Sequence, residues 1–514
     1  MKLWMKALAV GTVAAAAGIL LGIGIGSDRL ENLPELPENV LTIRPAINIW
    51  YTDEALGDYL ASAALDFSEK RDVRVIPKLV SGLEYLENIN QESLHTKTCP
   101  DLYIIGNESL EKAWLAGLAS DIRDEEDFVS EAYFPGTAIQ AVTCQGHVIG
   151  YPYYYETSAL IYNKTYMEEA ARGTLEVEAD ARAGEEAMQA LEEGGVPSEE
   201  EGGTPPESQE MTFDEEEVAR RMTELIPSSV EDIRSFADSY NAPEQVEAVF
   251  KWDVSDIFYN YFFVGNYIDV GGPDGDDADR IDIYNMDAIR CLLSWQNLNQ
   301  FFSIEADAVD YDTVVQEFAD GKLVFTVATT DILSRLEEAA GDGRFPYEYG
   351  VTLVPDIEEG LETKSLSVTN AIVVNGYSDK KDLANEFAHY LTGEASSGLF
   401  AGTGKLPALK DAPLPMEQAE AFRAEYADSV PIPKMVETSN YWVQLEIAFT
   451  RIWSGAEVSE TLKELSEQIK TQVTGTAVTE DYIPLPEEET LPAEEEGMME
   501  EDEMENEGEG EEQQ

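Results

Sequence analysis

The stretch YPYYYETSALIYNK, residues 151–164, decides how this chain is read. Three consecutive tyrosines, Tyr153, Tyr154 and Tyr155, run into Glu156, and Glu156 runs into the apolar segment Ala159–Tyr162. Aromatic faces pack on the C–H patches of a pyranose ring, and a carboxylate accepts hydrogen bonds from its hydroxyls. Rings beside an acid therefore point to a sugar. A second reading stays open on these residues alone: a tyrosine-rich buried strand with Glu156 at its solvated end.

Upstream, strand and helix patterns alternate. Ile47–Trp50 reads as a strand, Leu56–Lys70 as a helix, Val73–Lys78 as a strand, Leu83–Glu92 as a helix and Leu102–Ile105 as a buried strand. This rhythm predicts an open α/β sheet, in which ligands bind beyond the carboxyl ends of the strands. That rule brings Tyr51, Thr52, Asp53 and Glu54, after the first strand, to the same place as Gly106, Asn107 and Glu108, after the third. Asp53 also suits a helix N-cap for the segment that begins near Glu54.

Further phrases follow in order: INIWYTD (47–53), CPDLYII (99–105), EFADGKLVFT (317–326), YGVTLVP (349–355) and TSNYWVQL (438–445). Together with ETSALIYNK they resemble the maltose-type extracellular solute-binding proteins of ABC sugar transporters, over roughly residues 46–473. The resemblance implies an α/β fold of the two-lobed periplasmic-binding-protein kind, with hinge crossovers near Glu156, Ser365 and Ala412. The first lobe is then 46–155 and 366–412, and the second 156–365 and 413–475. It implies capture of a sugar or oligosaccharide of the maltose/maltodextrin class in an interlobe cleft and delivery to the permease subunits of the transporter. No cofactor is implied.

The resemblance also assigns ligand contacts. They are Asp53, Glu54 and Glu108 in the first lobe, and Tyr154, Tyr155 and Glu156 on the crossing strand. In the segment KWDVSDIFYNYFFVG (251–265), read as a helix facing the sugar, they are Asp253 and a stacking ring at Phe258 or Tyr259. Thr330 and Asp331 follow in a loop, and Tyr441 and Trp442 in SNYW. Three positions depart from the maltose binder. Ser255 stands where a tyrosine is expected. Ile105 and the loop Thr329–Asp331 stand where tryptophans are expected, which puts maltose itself in question. Trp442 also suits a core position in the amphipathic helix Asn440–Ile452.

Charge excludes several classes. The chain carries 103 acids and 33 bases, a net −70. Nucleic acid and anionic lipid both need a basic surface, so neither is a partner through a charged patch. Two segments are extreme: 487–514 holds 15 acids and no base, and 167–227 holds 19 acids and 4 bases. The second interrupts the family pattern as a surface insert, helical at its ends, with a Gly- and Pro-rich middle. The tail from 476 to 514 is expected to be disordered, because it lacks the apolar area to offset its ordering entropy.

At the N-terminus, Lys2 and Lys6 precede an uncharged run from Ala7 to Ile25. Such a run is long enough to span a bilayer core. Basic residues before it and Asp28, Glu31 and Glu35 after it place the N-terminus inside. Residues 1–26 are therefore expected to anchor the chain in the membrane, with a cleaved signal peptide as the second reading. Residues 27–45, with Pro34, Pro37 and Pro45, form an extracellular tether. No cysteine follows the run to carry a lipid.

Three cysteines make no disulfide framework. By the resemblance, Cys99 and Cys144 both lie in the first lobe and are possible disulfide partners in an oxidising compartment. Cys291 falls in a helical pattern. No metal-ligand spacing of Cys or His is present, and GGPDGDDADRID (271–282) lacks the glycine and terminal glutamate of a calcium loop. No nucleophile motif or phosphate loop appears. A binding protein is expected, not an enzyme. The alternatives are a membrane-anchored sugar-sensing module and, behind it, a glycoside-processing enzyme working through paired carboxylates.

Overall fold

The computed structural model describes residues 44–95, 99–124, 126–192, 213–358, 360–414, 416–438 and 440–485. The expected membrane anchor, nearly all of the tether, the middle of the insert and the tail from 486 onward lie outside the described residues. No helix of the described residues is long and apolar enough to cross a membrane.

The strands, in chain order, are β1 (Ala46–Tyr51), β2 (Arg74–Leu79), β3 (Leu102–Gly106), β4 (Thr143–Cys144), β5 (His147–Val148), β6 (Tyr151–Asn163), β7 (Ala248–Phe250), β8 (Asp269–Val270), β9 (Ile281–Asp282), β10 (Leu323–Thr329), β11 (Tyr349–Thr352), β12 (Leu366–Val374), β13 (Leu406–Pro407) and β14 (Val430–Pro431). The main sheet runs β2-β1-β3-β12-β6-β10-β7. β1 pairs in parallel with β2 and β3, as the alternating strand–helix pattern predicts. The pairings β3–β12, β12–β6 and β6–β10 are antiparallel.

β6 is the element that joins the two halves. Residues Tyr151–Thr157 pair with β12, whereas Ser158–Asn163 pair with β10 and β11. Twelve of its thirteen residues are buried, Glu156 being the exception. A strand covered on both faces reads as a continuous apolar and aromatic run, which is what residues 151–163 present. Where β6 passes from one pairing to the other, small hydroxyl side chains add contacts between the segments that meet there. Thr157 Oγ1 lies 2.9 Å from Ser365 Oγ and donates to the Leu366 carbonyl at 2.9 Å. The β14 segment comes alongside: Val430 N–H donates to the Ser365 carbonyl at 2.9 Å, and Ser429 Oγ donates to Ser367 Oγ at 2.7 Å. Ala412, near which a crossover was expected, is buried, and its carbonyl accepts from Arg423 of the helix Gln418–Asp428.

Two expectations need correction here. The segment 251–265 is not a helix. It forms two separate 3₁₀ turns, Ile257–Tyr259 and Tyr261–Phe263, because Asp253 and Asp256 cap tight turns through their own side chains. The tail does not leave the fold at 476. Residues 476–485 fold back on the last helix, Val458–Thr474: Glu480 N–H donates to Glu467 at 2.8 Å, and Ile483 N–H donates to the Tyr284 hydroxyl at 2.6 Å. Ile483 and Leu485 supply apolar anchors for this return. The insert ends are helical as read. Lys164–Glu192 forms one helix of 29 residues, tied to Glu215–Leu225 by Arg172–Glu215 and Arg221–Glu178 ion pairs.

Glu425 sits at the crossing seam, 5% exposed, and accepts from Val354 N–H at 3.0 Å. Burial pushes its carboxyl up to about 7. The folded state therefore holds a proton on Glu425 that the unfolded chain has released above the ordinary carboxylate range. The stability from this group is complete below about pH 4.5, falls as pH rises through 7, and amounts to about 3 kcal/mol at most. Glu425→Gln is expected to remove that part of the pH dependence. Urea unfolding of parent and variant at pH 4.5 and pH 8 measures it, and equal pH slopes in the two proteins would contradict the assignment.

Candidate functional site

A cavity of about 650 Å³ opens at the carboxyl ends of β1 and β3. Thr52 and Asp53 follow β1, and Gly106 and Glu108 follow β3. Tyr154 and Glu156 reach it from β6, and Val368 and Asn370 from β12. Its inner wall is apolar (Leu56, Leu86, Ile104, Ile105 and Ile432), and its rim carries Glu84, Glu87 and Lys112.

Asp53 serves two partners. Oδ1 accepts from Ala55 N–H at 2.9 Å and caps the 3₁₀ turn Glu54–Leu56. Oδ2 lies 3.1 Å from Lys405 Nζ. The same ammonium is 3.2 Å from Glu156 Oε1 and stands 5.5 Å above the Tyr154 ring. Burial pulls the pKa of Lys405 down, but Glu156 and Asp53 outweigh it and hold the group above its ordinary value. The helix Leu399–Thr403 ends on Gly404 at φ +72°, the left-handed turn that delivers Lys405 to the two acids. A Cβ at Gly404 would also meet Ser334 at 3.3 Å.

Glu108 folds back over Gly106, where any Cβ would lie 2.1 Å from its carboxylate, so only glycine permits this conformation. Ser109 Oγ donates to Glu108 at 3.2 Å. Glu108 is exposed to solvent at the mouth of the cavity, with neighbouring protein desolvating its carboxyl in part. That desolvation, together with the charge of Glu156, raises its pKa. Glu84 is held at φ +53°, a left-handed conformation uncommon for a residue with a side chain.

The structure separates other residues that the sequence groups together. Strand alternation sends Tyr154 and Glu156 to the cavity and Tyr155 to the opposite face. Tyr155 is buried there, stacked on Tyr426 with centroids 3.8 Å apart. Glu54 is exposed in the turn after β1 and does not line the cavity. The second-lobe residues are also outside its lining. Asp253 is 4% exposed and accepts from Ser255 N–H and Oγ at 2.9 and 2.6 Å. Tyr259 stacks on Tyr311 at 4.6 Å, and Phe258 is half-buried beside it. Thr330 is buried, and Asp331 accepts from the Tyr311 hydroxyl at 2.6 Å and pairs with Arg335 at 2.9 Å. Tyr441 is a core residue with no exposure. Trp442 is half-buried against Tyr261 and Tyr441, with centroids at 5.5 and 4.9 Å.

The expected disulfide is not formed. Cys99 and Cys144 are free, buried thiols, and burial raises the pKa of both. Cys99 Sγ instead donates to the Pro100 carbonyl at 3.3 Å. Lys405, Glu84, Glu87 and Asn370 are among the cavity-side residues that sequence reasoning missed. A helix-ending glycine followed by a lone lysine, in a chain so short of cations, was the available signal for Lys405.

Residues 63–425 match the family described as bacterial extracellular solute-binding protein. The chain belongs to that family. Its fold is similar to the extracellular solute-binding protein from Staphylococcus aureus solved with maltose, at TM-score 0.65 and 16% identity, covering 84% of this chain and 98% of that one. It is similar to a cyclo/maltodextrin-binding protein solved with maltotetraose, at TM-score 0.63 and 19% identity, covering 84% and 97%. The maltose-binding periplasmic protein from Listeria monocytogenes gives TM-score 0.60 and 16% identity, covering 85% and 100%. In sequence, 132 residues are 27% identical to the galactooligosaccharide-binding protein of Bacillus subtilis (strain 168). That match covers 24% of this chain and spans 31% of the length of that relative. The relatives are binding proteins, and the two-lobed α/β fold expected from the sequence is the fold observed.

Lys405→Met is expected to leave Asp53 and Glu156 facing each other without a cation. Because Glu156 is partly solvated, the expected loss is about 1–2 kcal/mol of stability rather than the full cost of breaking a buried pair. Denaturant unfolding measures it. Unchanged stability would show that the two carboxylates are held by something other than Lys405.

Proposed function

We propose that this family member captures an oligosaccharide of the maltose or galactooligosaccharide kind and passes it to the permease subunits of an ABC transporter. The observation that carries the reading is the cavity at the carboxyl ends of β1 and β3. It pairs an apolar inner wall with Asp53, Glu108, Glu156 and Asn370, the mix of surfaces that a pyranose presents in reverse. The second half of the site is assigned to Asp253, Phe258, Thr330, Asp331 and the solvated edge of Trp442, brought over the cavity when the lobes close about the β6, β12 and β14 crossings. The lobe boundaries are those the resemblance implies, 46–155 with 366–412 and 156–365 with 413–475. Residues 1–26 are assigned as an anchor that keeps the lobes outside the cell membrane, on the strength of Lys2 and Lys6 before an uncharged run.

A thermal-shift screen over neutral and charged oligosaccharides tests the reading. A ligand at 100 times its Kd is expected to stabilise the chain by about 2.7 kcal/mol. The same ligand at saturation is expected to reduce the radius of gyration in solution scattering, and identical radii would remove the hinge. Trp442→Ala is expected to weaken binding by about 1 kcal/mol or more and to abolish the ligand-induced change in indole fluorescence. A folded variant that binds as tightly as the parent would place Trp442 in the core alone.

A further inference from the structure

The cavity carries more negative charge than a neutral sugar uses. Asp53, Glu84, Glu87, Glu108 and Glu156 all line it. Both neighbouring ammonium groups are already committed: Lys405 lies between Asp53 and Glu156, and Lys112 is 2.7 Å from Glu87. Glu84 and Glu108 have no cation partner among the described residues. Their environment also separates them from the general acidity of the chain. Charges on a convex surface stay hydrated, whereas those in a cleft lose water when it closes, and their repulsion then grows.

A second observation points to a ligand at the same place. Tyr154 is 4% exposed and lines the cavity, and its hydroxyl has no hydrogen-bond partner among the described residues. The neighbouring Tyr85, also in the lining, has a hydroxyl that is buried without a partner among the described residues. A buried hydroxyl is nearly always paired, so the two tyrosines offer polar atoms to whatever fills the cavity. Lys405, which pairs with Asp53 and Glu156, stands 5.5 Å over the Tyr154 ring, so the ring lies beside those two carboxylates. On the second lobe as proposed above, Asp253 and Asp256 cap successive turns three residues apart, again with no cation partner among the described residues. A second wall of the same sign would meet the first on closure.

Resting on the sugar-binding reading above, we propose that the ligand is an oligosaccharide bearing free amino groups. Its ammonium is held by Glu108 with Glu84 on the same wall, and one of its hydroxyls pairs with Tyr154. The bound cation lowers the repulsion that opposes closure, so charge recognition and closure are one event.

Calorimetric titration of the full chain with glucosamine trimer, its N-acetylated counterpart and maltotriose, each at pH 6 and pH 9, tests this. The amino trimer is expected to bind at least tenfold tighter than the N-acetylated trimer at pH 6. The advantage is expected to shrink severalfold at pH 9, where the amines are largely neutral. Glu108→Gln and Glu84→Gln are each expected to cut the preference severalfold. A preference that survives both substitutions would be general attraction to an acidic chain and would overturn the proposal. Equal or tighter binding of the N-acetylated trimer or maltotriose would overturn it while leaving the sugar-binding reading intact. If no saccharide binds at either pH, both fall.

Discussion

The structure depends on one strand serving two halves of a sheet. β6 pairs with β12 up to Thr157 and with β10 and β11 from Ser158 onward. A strand interior supplies its own N–H and C=O groups to neighbours, and the pairing passes from Ser367 at Thr157 to Thr329 at Ser158 without a break. Thr157, Ser365, Ser367 and Ser429 link the segments that meet there through hydroxyl contacts between buried side chains. Short hydroxyls satisfy the backbone without adding bulk, and so suit a place where three chain segments pass close together. Tyr155 on Tyr426 and Glu425 against Val354 close the same seam from behind.

Because β6 also forms part of the cavity wall, the seam and the site are linked through a single backbone. Glu156 is the last-but-one residue before the change of partner, and it is the one residue of β6 that is not buried. Lys405 ties it to Asp53, the residue that caps the turn after β1. The end of β1 and the crossing are thus held by one ammonium. The arrangement leaves Glu84 and Glu108 without a cation partner among the described residues, and the Tyr85 hydroxyl without a hydrogen bond, which is where a ligand has most to offer.

Evenly spread charge would have been uninformative. What matters is which carboxylates are paired and how far each can stay hydrated. Asp331 is answered by Arg335 and the Tyr311 hydroxyl, and Asp253 by Ser255 and the turn it caps. Both acids do structural work within the protein, so their availability to a ligand depends on what closure offers in exchange.

The sequence by itself determined the class of fold, the parallel β1, β2 and β3, the family and the two loops that meet at the cavity. These depend on local periodicity and on phrases whose order along the chain is direct evidence. It also showed that the carboxyl ends of β1 and β3 would carry Asp53 and Glu108. What it left undecided required neighbours far apart in number. Tyr155 faces Tyr426 rather than the cleft because a strand alternates its faces and only pairing settles which face is which. Cys99 and Cys144 remain thiols, each packed in its own buried setting. Residues 476–485 fold back because Tyr284 and Glu467 are there to receive them. Lys405 becomes the centre of the site only when the chain returns, some 250 residues after Glu156, to place its one ammonium between two acids.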